Sequence, residues 1–177
     1  SLGPLKRVVS YYIQVQKYHD GKPVDAPFRL SGELLFPAGY RMRLVVSSPQ
    51  KGHLYLVNEA PVTPNGLPTF IFLFPSPDAY QGSSFLDAGQ EVAMPSPDRY
   101  FVLDEQQGEE KLWMVWSREA VAELESLRRW VNPRDKGQIK DAAQTVLVRD
   151  YLRKHVSRPV EDRKDDSCKC TLLRSAA

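Results

Sequence analysis

Between Lys51 and Ser117, three apolar runs, His53 to Asn58, Thr69 to Phe74 and Lys111 to Ser117, are separated by stretches rich in Pro and Gly. Runs of four to eight aromatic and β-branched residues bounded by Pro, Gly, Asn and Asp read as short strands of an antiparallel β domain. This pattern sets the class of fold before any chemistry is considered. None of the residues in or beside these runs forms a recognisable catalytic set.

The same signals continue on either side. Tyr11, Ile13 and Val15 alternate with Tyr12, Gln14 and Gln16, which predicts a half-buried strand from Tyr11 to Tyr18. His19-Asp20-Gly21 supplies a turn into an extended stretch from Pro23 to Pro27, and Glu33 to Phe36 reads as a further short strand ended by Pro37-Ala38-Gly39. Tyr40, Met42, Leu44 and Val46 share one face while Arg41 and Arg43 share the other, an antiparallel pattern with one face in water. Phe70 to Phe74 is apolar on both faces and is expected to lie centrally, covered on each side. The polar segment Ser76 to Gly89 reads as a long surface loop anchored by Phe85 and Leu86. Gln90 to Met94 and Tyr100 to Leu103 read as strands, and Asp104 to Gly108 as a hairpin loop leading into Lys111.

The period changes at Ser117. As an N-cap, with Glu119 in the first turn, it predicts a helix through Val121, Leu124, Leu127 or Arg128, and Val131, stopped by Asn132-Pro133. A second helix is predicted over Gln138 to His155, with Ile139, Ala143, Val146, Leu147 and Tyr151 on or near one face. The expected fold is mainly β, an antiparallel β-sandwich of seven to eight strands with two C-terminal α-helices packed on it. It spans residues 11–158, and residues 159–177, polar and without periodicity, form a flexible tail.

The 177 residues suffice to bury a core without staples. The two cysteines, Cys168 and Cys170, stand one residue apart and cannot easily bridge each other. As metal ligands they have only His155 nearby, short of the four donors of a structural zinc. Residues 1–117 carry ten Lys and Arg against twelve Asp and Glu, a balance of −2, and residues 118–157 carry nine against six, +3. No stretch forms the basic stripe of a nucleic-acid binder. No apolar run approaches the roughly 20 residues of a membrane span, so no direct membrane insertion is expected, and the chain reads as a soluble piece of a longer polypeptide.

Catalytic signals are weak. The three histidines, His19, His53 and His155, fall in a turn, at a strand start and at a helix end, and His53 as a base would need a nucleophile and an orienting acid nearby. Gly82-Ser83-Ser84 is not a nucleophile elbow. Asp104-Glu105 and Glu109-Glu110 could supply the paired carboxylates of glycoside hydrolysis but flank a predicted loop tip. No Gly-rich loop opens a helix to cradle a phosphate. No catalytic residue, metal ligand or cofactor is therefore assigned. Trp113 and Trp116, three positions apart on one strand, face opposite ways, one in the core and the other exposed or covered by the helices. Together with Tyr11, Tyr12, Tyr55 and the phenylalanines of 70–74, they either pack a sandwich core or line a carbohydrate or peptide groove.

Tyr12 to Tyr18, Pro27 to Glu33, Ser47 to Gln50 with Gly52 to Glu59, Leu73 to Pro75, and Gly108 to Ser117 together resemble the bacterial domain-of-unknown-function family 4384. The resemblance is strongest to the version found C-terminal to bacterial serine/threonine protein kinases, and it extends over about Tyr11 to His155. It implies an upstream kinase region in the same polypeptide, and, where such kinases are membrane-bound, an extracytoplasmic (periplasmic) position. The family brings no catalytic residues.

Two functional expectations follow. The first is a non-catalytic sensor or docking domain of a signalling kinase, binding a protein or glycan ligand through the loop Glu59 to Pro68 or the loop Ser76 to Gly89, with Asn65, Tyr80, Phe85 and Trp116 as the candidate binding surface. The second is an enzyme acting on envelope polysaccharide or peptide through a carboxylate pair.

Overall fold

The computed structural model describes residues 9–30, 39–60, 66, 68–77, 79–102, 111–128 and 137–156. They form β1 (Ser10–His19), β2 (Lys22–Arg29), β3 (Tyr40–Ser47), β4 (Gly52–Glu59), β5 (Phe70–Phe74), β6 (Phe85–Leu86), β7 (Glu91–Met94), β8 (Phe101–Val102), β9 (Lys111–Ser117), α1 (Ala122–Arg128) and α2 (Ala142–Lys154). The architecture is mainly antiparallel β, in two sheets, with two C-terminal helices. The elements group into two compact units. One holds β1, β2, β3, β7 and β8; the other holds β4, β5, β6, β9 and both helices.

In the first unit the strands pair in the order β2-β1-β3-β7, and β8 also pairs with β3. The turn read from His19-Asp20-Gly21 joins β1 to β2, with Asp20 and Gly21 both at positive φ, 48° and 74°. That conformation matches the twist of the strands it connects. Val15, Leu44, Val46, Val92 and Met94 are buried. Arg41 and Arg43 lie on the opposite face, as the alternation predicts. Gln16 departs from its predicted wet side. A bulge in β2 sets Asp25, Ala26 and Pro27 opposite it, and its buried amide donates to the carbonyls of Lys17, Val24 and Asp25 at 3.0, 3.0 and 3.1 Å. Burial of that amide is tolerated because the bulge frees those carbonyls from the ladder.

In the second unit β4, not β5, is central: β9 pairs along its whole length on one side, and β5 and β6 share the other. The expectation for Phe70 to Phe74 is thus corrected. Ile71 and Leu73 are only half-buried, and the outer edge of β5 is closed by a short segment in which Phe72 N–H donates to Gly137 O at 2.8 Å and Ile139 N–H donates to Phe70 O at 2.9 Å. Gly137 is needed there. Its φ is +85°, and a Cβ would stand 2.4 Å from the Phe72 carbonyl oxygen. A register slip between Leu56 and Val57 pairs Phe72 with Val57 but Phe74 with Leu56. Because residues 56 and 57 point to opposite faces, Phe72 and Phe74 do too, and β4 is buried on both sides.

One of those sides carries the helices. Tyr55, Val57, Phe70, Phe72 and Val115 pack with Leu124 and Leu127 of α1, Ile139, and Val148 and Leu152 of α2. Ser117 is not the N-cap of α1. It ends β9, paired with His53, and the helix begins at Ala122, because the strand gains seven cross-strand pairs by continuing along β4. For α2, Asp141 caps Gln144 N–H at 2.9 Å, and this start turns Thr145, Val148 and Leu152 inward, leaving Val146 and Leu147 36% and 41% exposed. The predicted inner face is therefore rotated. Thr145 can be buried because its hydroxyl donates to the Asp141 carbonyl at 2.9 Å.

Among the described residues β8 pairs with β3 and β9 pairs with β4, not with each other as the expected hairpin would have them. Asp104 to Gly108, Glu33 to Phe36, the residues from Val131 to Pro133 and the expected tail with Cys168 and Cys170 lie outside the described residues. No helix among the described residues is long and apolar enough to cross a membrane.

Candidate functional site

Among the described residues a linked polar constellation lies in the second unit, where the start of β4, the approach to β6 and the first turn of α1 meet. His53 and Tyr55 project from β4, two residues apart and hence on one face. Ser84 is fixed beside them by Leu54 N–H, which donates to the Ser84 carbonyl at 2.9 Å. Glu125 comes from α1, and its amide donates to Val121 O at 2.8 Å.

The side chains form one chain of hydrogen bonds. The Tyr55 hydroxyl donates to Glu125 Oε1 at 2.8 Å and accepts from the Val121 amide at 3.0 Å. Ser84 Oγ donates to the same carboxylate oxygen. With the Ser84 proton committed to Glu125, His53 Nδ1, 2.9 Å from Ser84 Oγ, is assigned as the donor to that oxygen. The His53 ring also meets Phe85 edge-on, with centroids 5.5 Å apart. Burial pushes the Tyr55 phenol up to about 12, opposed by the hydrogen bonds with Ser84 and the Val121 amide and reinforced by the Glu125 carboxylate. Tyr151 in α2 is raised as well, by burial and then by the Glu123 carboxylate.

This order differs from a catalytic triad. There the imidazole sits between hydroxyl and acid and accepts the hydroxyl's proton. Here the hydroxyl sits between imidazole and acid, Ser84 is only 3% exposed, and its proton points to the carboxylate. The arrangement satisfies buried polar groups and ties α1 to β4. Among the described residues no group of three His, Cys, Asp or Glu is placed to hold a metal ion.

The residues singled out from the sequence fall in different places. Trp116 is corrected: at 3% exposure it cannot contribute to a surface, since it is directly opposite Leu54 and its ring rests on Gly52, where a Cβ would meet Trp116 Cζ2 at 2.8 Å and the Ser117 carbonyl at 2.5 Å. Trp113, on the other face, packs beside the helices and donates its indole N–H to Glu59 at 2.7 Å. Phe85 is 41% exposed. Tyr80 is half-buried in a 3-10 turn over Tyr80–Gly82, its ring 6.0 Å from Phe74, and both Tyr80 and Gln81 have positive φ, 52° and 57°. Asn65 lies outside the described residues. His19 is in the exposed turn beside Asp20, and His155 ends α2 with its ring over Tyr151. The structure brings Phe85 to His53 and sets Tyr80 against Phe74.

Sequence reasoning missed Tyr55 and Glu125 as polar partners. The available signal was a carboxylate at the helical spacing of the apolar face, four residues after Val121, and a hydroxyl inside the apolar run Leu54 to Val57.

Residues 35–120 match the family model described as Domain of unknown function (DUF4384), which supports the family resemblance for that stretch. No curated protein matches the chain, and no solved structure matches it.

Proposed function

We propose that this chain is a non-catalytic sensor or docking domain serving a serine/threonine kinase region of the same bacterial polypeptide, in an extracytoplasmic position where that kinase is membrane-bound. The observation that carries this reading is the use made of the one Ser–His–carboxylate set among the described residues. Ser84 is buried, its proton is held by Glu125, and His53 is a donor to it, so hydroxyl, imidazole and acid are spent on anchoring α1. Recognition falls to exposed side chains carried on a rigid β scaffold, with Phe85 of β6, exposed beside His53, as the leading contact. The kinase link is what the family resemblance implies. The test is autophosphorylation of the parent kinase with and without residues 11–155. A sensor must bind two kinase states differently to shift them, so deletion should change basal activity or its response to envelope components. Turnover of a glycan or peptide by the isolated chain, lost on a single carboxylate substitution, would overturn the proposal.

A further inference from the structure

The first unit carries an array that the hydrophobic pattern does not explain. Arg29 of β2 and Arg43 of β3 both stand opposite Gln14 of β1, so the three side chains form one row across three strands on one face. Arg41 lies two residues along β3 on the same face, opposite Gln16. Each guanidinium covers a tyrosine. Arg29 sits 3.8 Å from the centroid of Tyr12, Arg41 3.8 Å from Tyr18, and Arg43 4.6 Å from Tyr100.

Stacking holds each guanidinium plane and, for Arg29 and Arg41, leaves the N–H edge to meet a carboxylate in fork geometry. Arg43 is partly used, donating to Gln14 Oε1 and to the Pro97 carbonyl. Among the described residues Arg29 and Arg41 have no ion pair. Among the described residues the carboxylates on these elements are Asp20 in the β1–β2 turn, Asp25 in the β2 bulge, Glu91, which accepts from the Tyr12 hydroxyl at 3.3 Å, and Asp98 in the turn after β7, all exposed.

Strand geometry gives the spacing. Arg41 and Arg43 are about 7 Å apart along β3, and Arg29 and Arg43 about 10 Å apart across β1. An extended peptide repeats its side chains on one face at the same ~7 Å interval. A nucleic acid fits less well: the face offers three arginines, one of them already engaged, which is short of the basic stripe that neutralises successive phosphates. A glycan loses its stacking surface, because a guanidinium already covers one face of each ring.

We infer that the arginine-lined face of the β2-β1-β3 sheet docks an extended acidic peptide with carboxylates at alternate residues. This rests on the docking reading above and names the chemistry of the partner. The experiment is fluorescence anisotropy on the full chain at low salt, with a fluorescein-labelled peptide of alternating Glu and Ser. The comparison probes are a peptide of the same composition with its Glu in one block, an oligogalacturonate and an oligothymidylate. The alternating peptide should bind saturably and most tightly, and Arg29→Gln or Arg41→Gln should weaken it about five- to tenfold. Arg29→Lys, at an exposed position that leaves folding intact, keeps the charge but loses the fork and should also weaken binding several-fold. No saturable binding, equal binding of the block peptide, or tighter binding of the glycan or oligonucleotide would overturn the inference. If the peptide fails while deletion of 11–155 still alters autophosphorylation, the inference falls and the docking reading stands.

Discussion

The two sheets start from the same alternation of apolar and polar residues and treat their tyrosines in opposite ways. In the second unit Tyr55 is fully buried beneath α1, and its hydroxyl must be satisfied from within, by Glu125 and the Val121 amide. In the first unit Tyr12, Tyr18 and Tyr100 remain half-buried, each covered by the stem and plane of an arginine, and the charged edges of Arg29 and Arg41 have no ion pair among the described residues. What covers a sheet face decides the chemistry that face can offer. Helices seal it, so polar groups there become structural; long basic side chains cover it while keeping it reactive to a partner.

The largest test of that contrast is Phe72→Ala. Phe72 meets Tyr55 edge-on at 6.4 Å inside the helix-covered core, so truncation should cost about 3–5 kcal/mol in urea unfolding through lost transfer energy and a cavity. A loss under ~1 kcal/mol would mean the helices do not seal the face. Next comes Gly137→Ala, expected to cost about 2–3 kcal/mol, since it combines a left-handed backbone with a collision against Phe72 O. Gly66→Ala is its control, with φ +78° and open space around it, and should cost only about 1 kcal/mol. Equal losses would remove the packing part of the argument.

A pH series sharpens the comparison. The Tyr55 phenol ionises near 10.0 in the unfolded chain and near 12 in the fold. Stability should therefore be intact below pH 10 and fall as pH rises toward 12, because the unfolded state gives up the proton first. Tyr151 adds to the loss with the same sign. Tyr55→Phe should flatten the decline, and an unchanged slope would place the phenol in water. The smallest effect is expected in the other unit, where Arg29→Ala removes one exposed stacking partner and should shift stability by under about 1 kcal/mol.

The strands were legible because period-2 alternation survives in single residues. Tyr11 to Tyr18, Tyr40 to Val46, His53 to Asn58 and Lys111 to Trp116 all lie within observed strands. Pairing was less legible, since alternation says which face a residue takes but not which strand lies beside it. Thus β5 was read as central on the strength of five apolar residues, although a register slip puts Phe72 and Phe74 on opposite faces. Helix starts failed for a related reason: Ser117 has the residue type of a cap, but seven cross-strand pairs outweigh one capping hydrogen bond. Of the candidate surface, Phe85 is exposed where a loop was read, whereas Trp116 could not be placed without knowing that Gly52 opens a space for its ring. Glu125 and Ser84 are 41 residues apart, and no local pattern links them.

The central claim is that the Tyr55, Ser84, His53 and Glu125 network holds α1 to β4. A double-mutant cycle on Tyr55→Phe and Glu125→Gln, read by equilibrium urea unfolding of the full chain, measures that tie directly. A coupling of about 1–2 kcal/mol, with each single variant less stable than the parent, is the predicted result. Strictly additive effects, or an Glu125→Gln variant as stable as the parent, would contradict it.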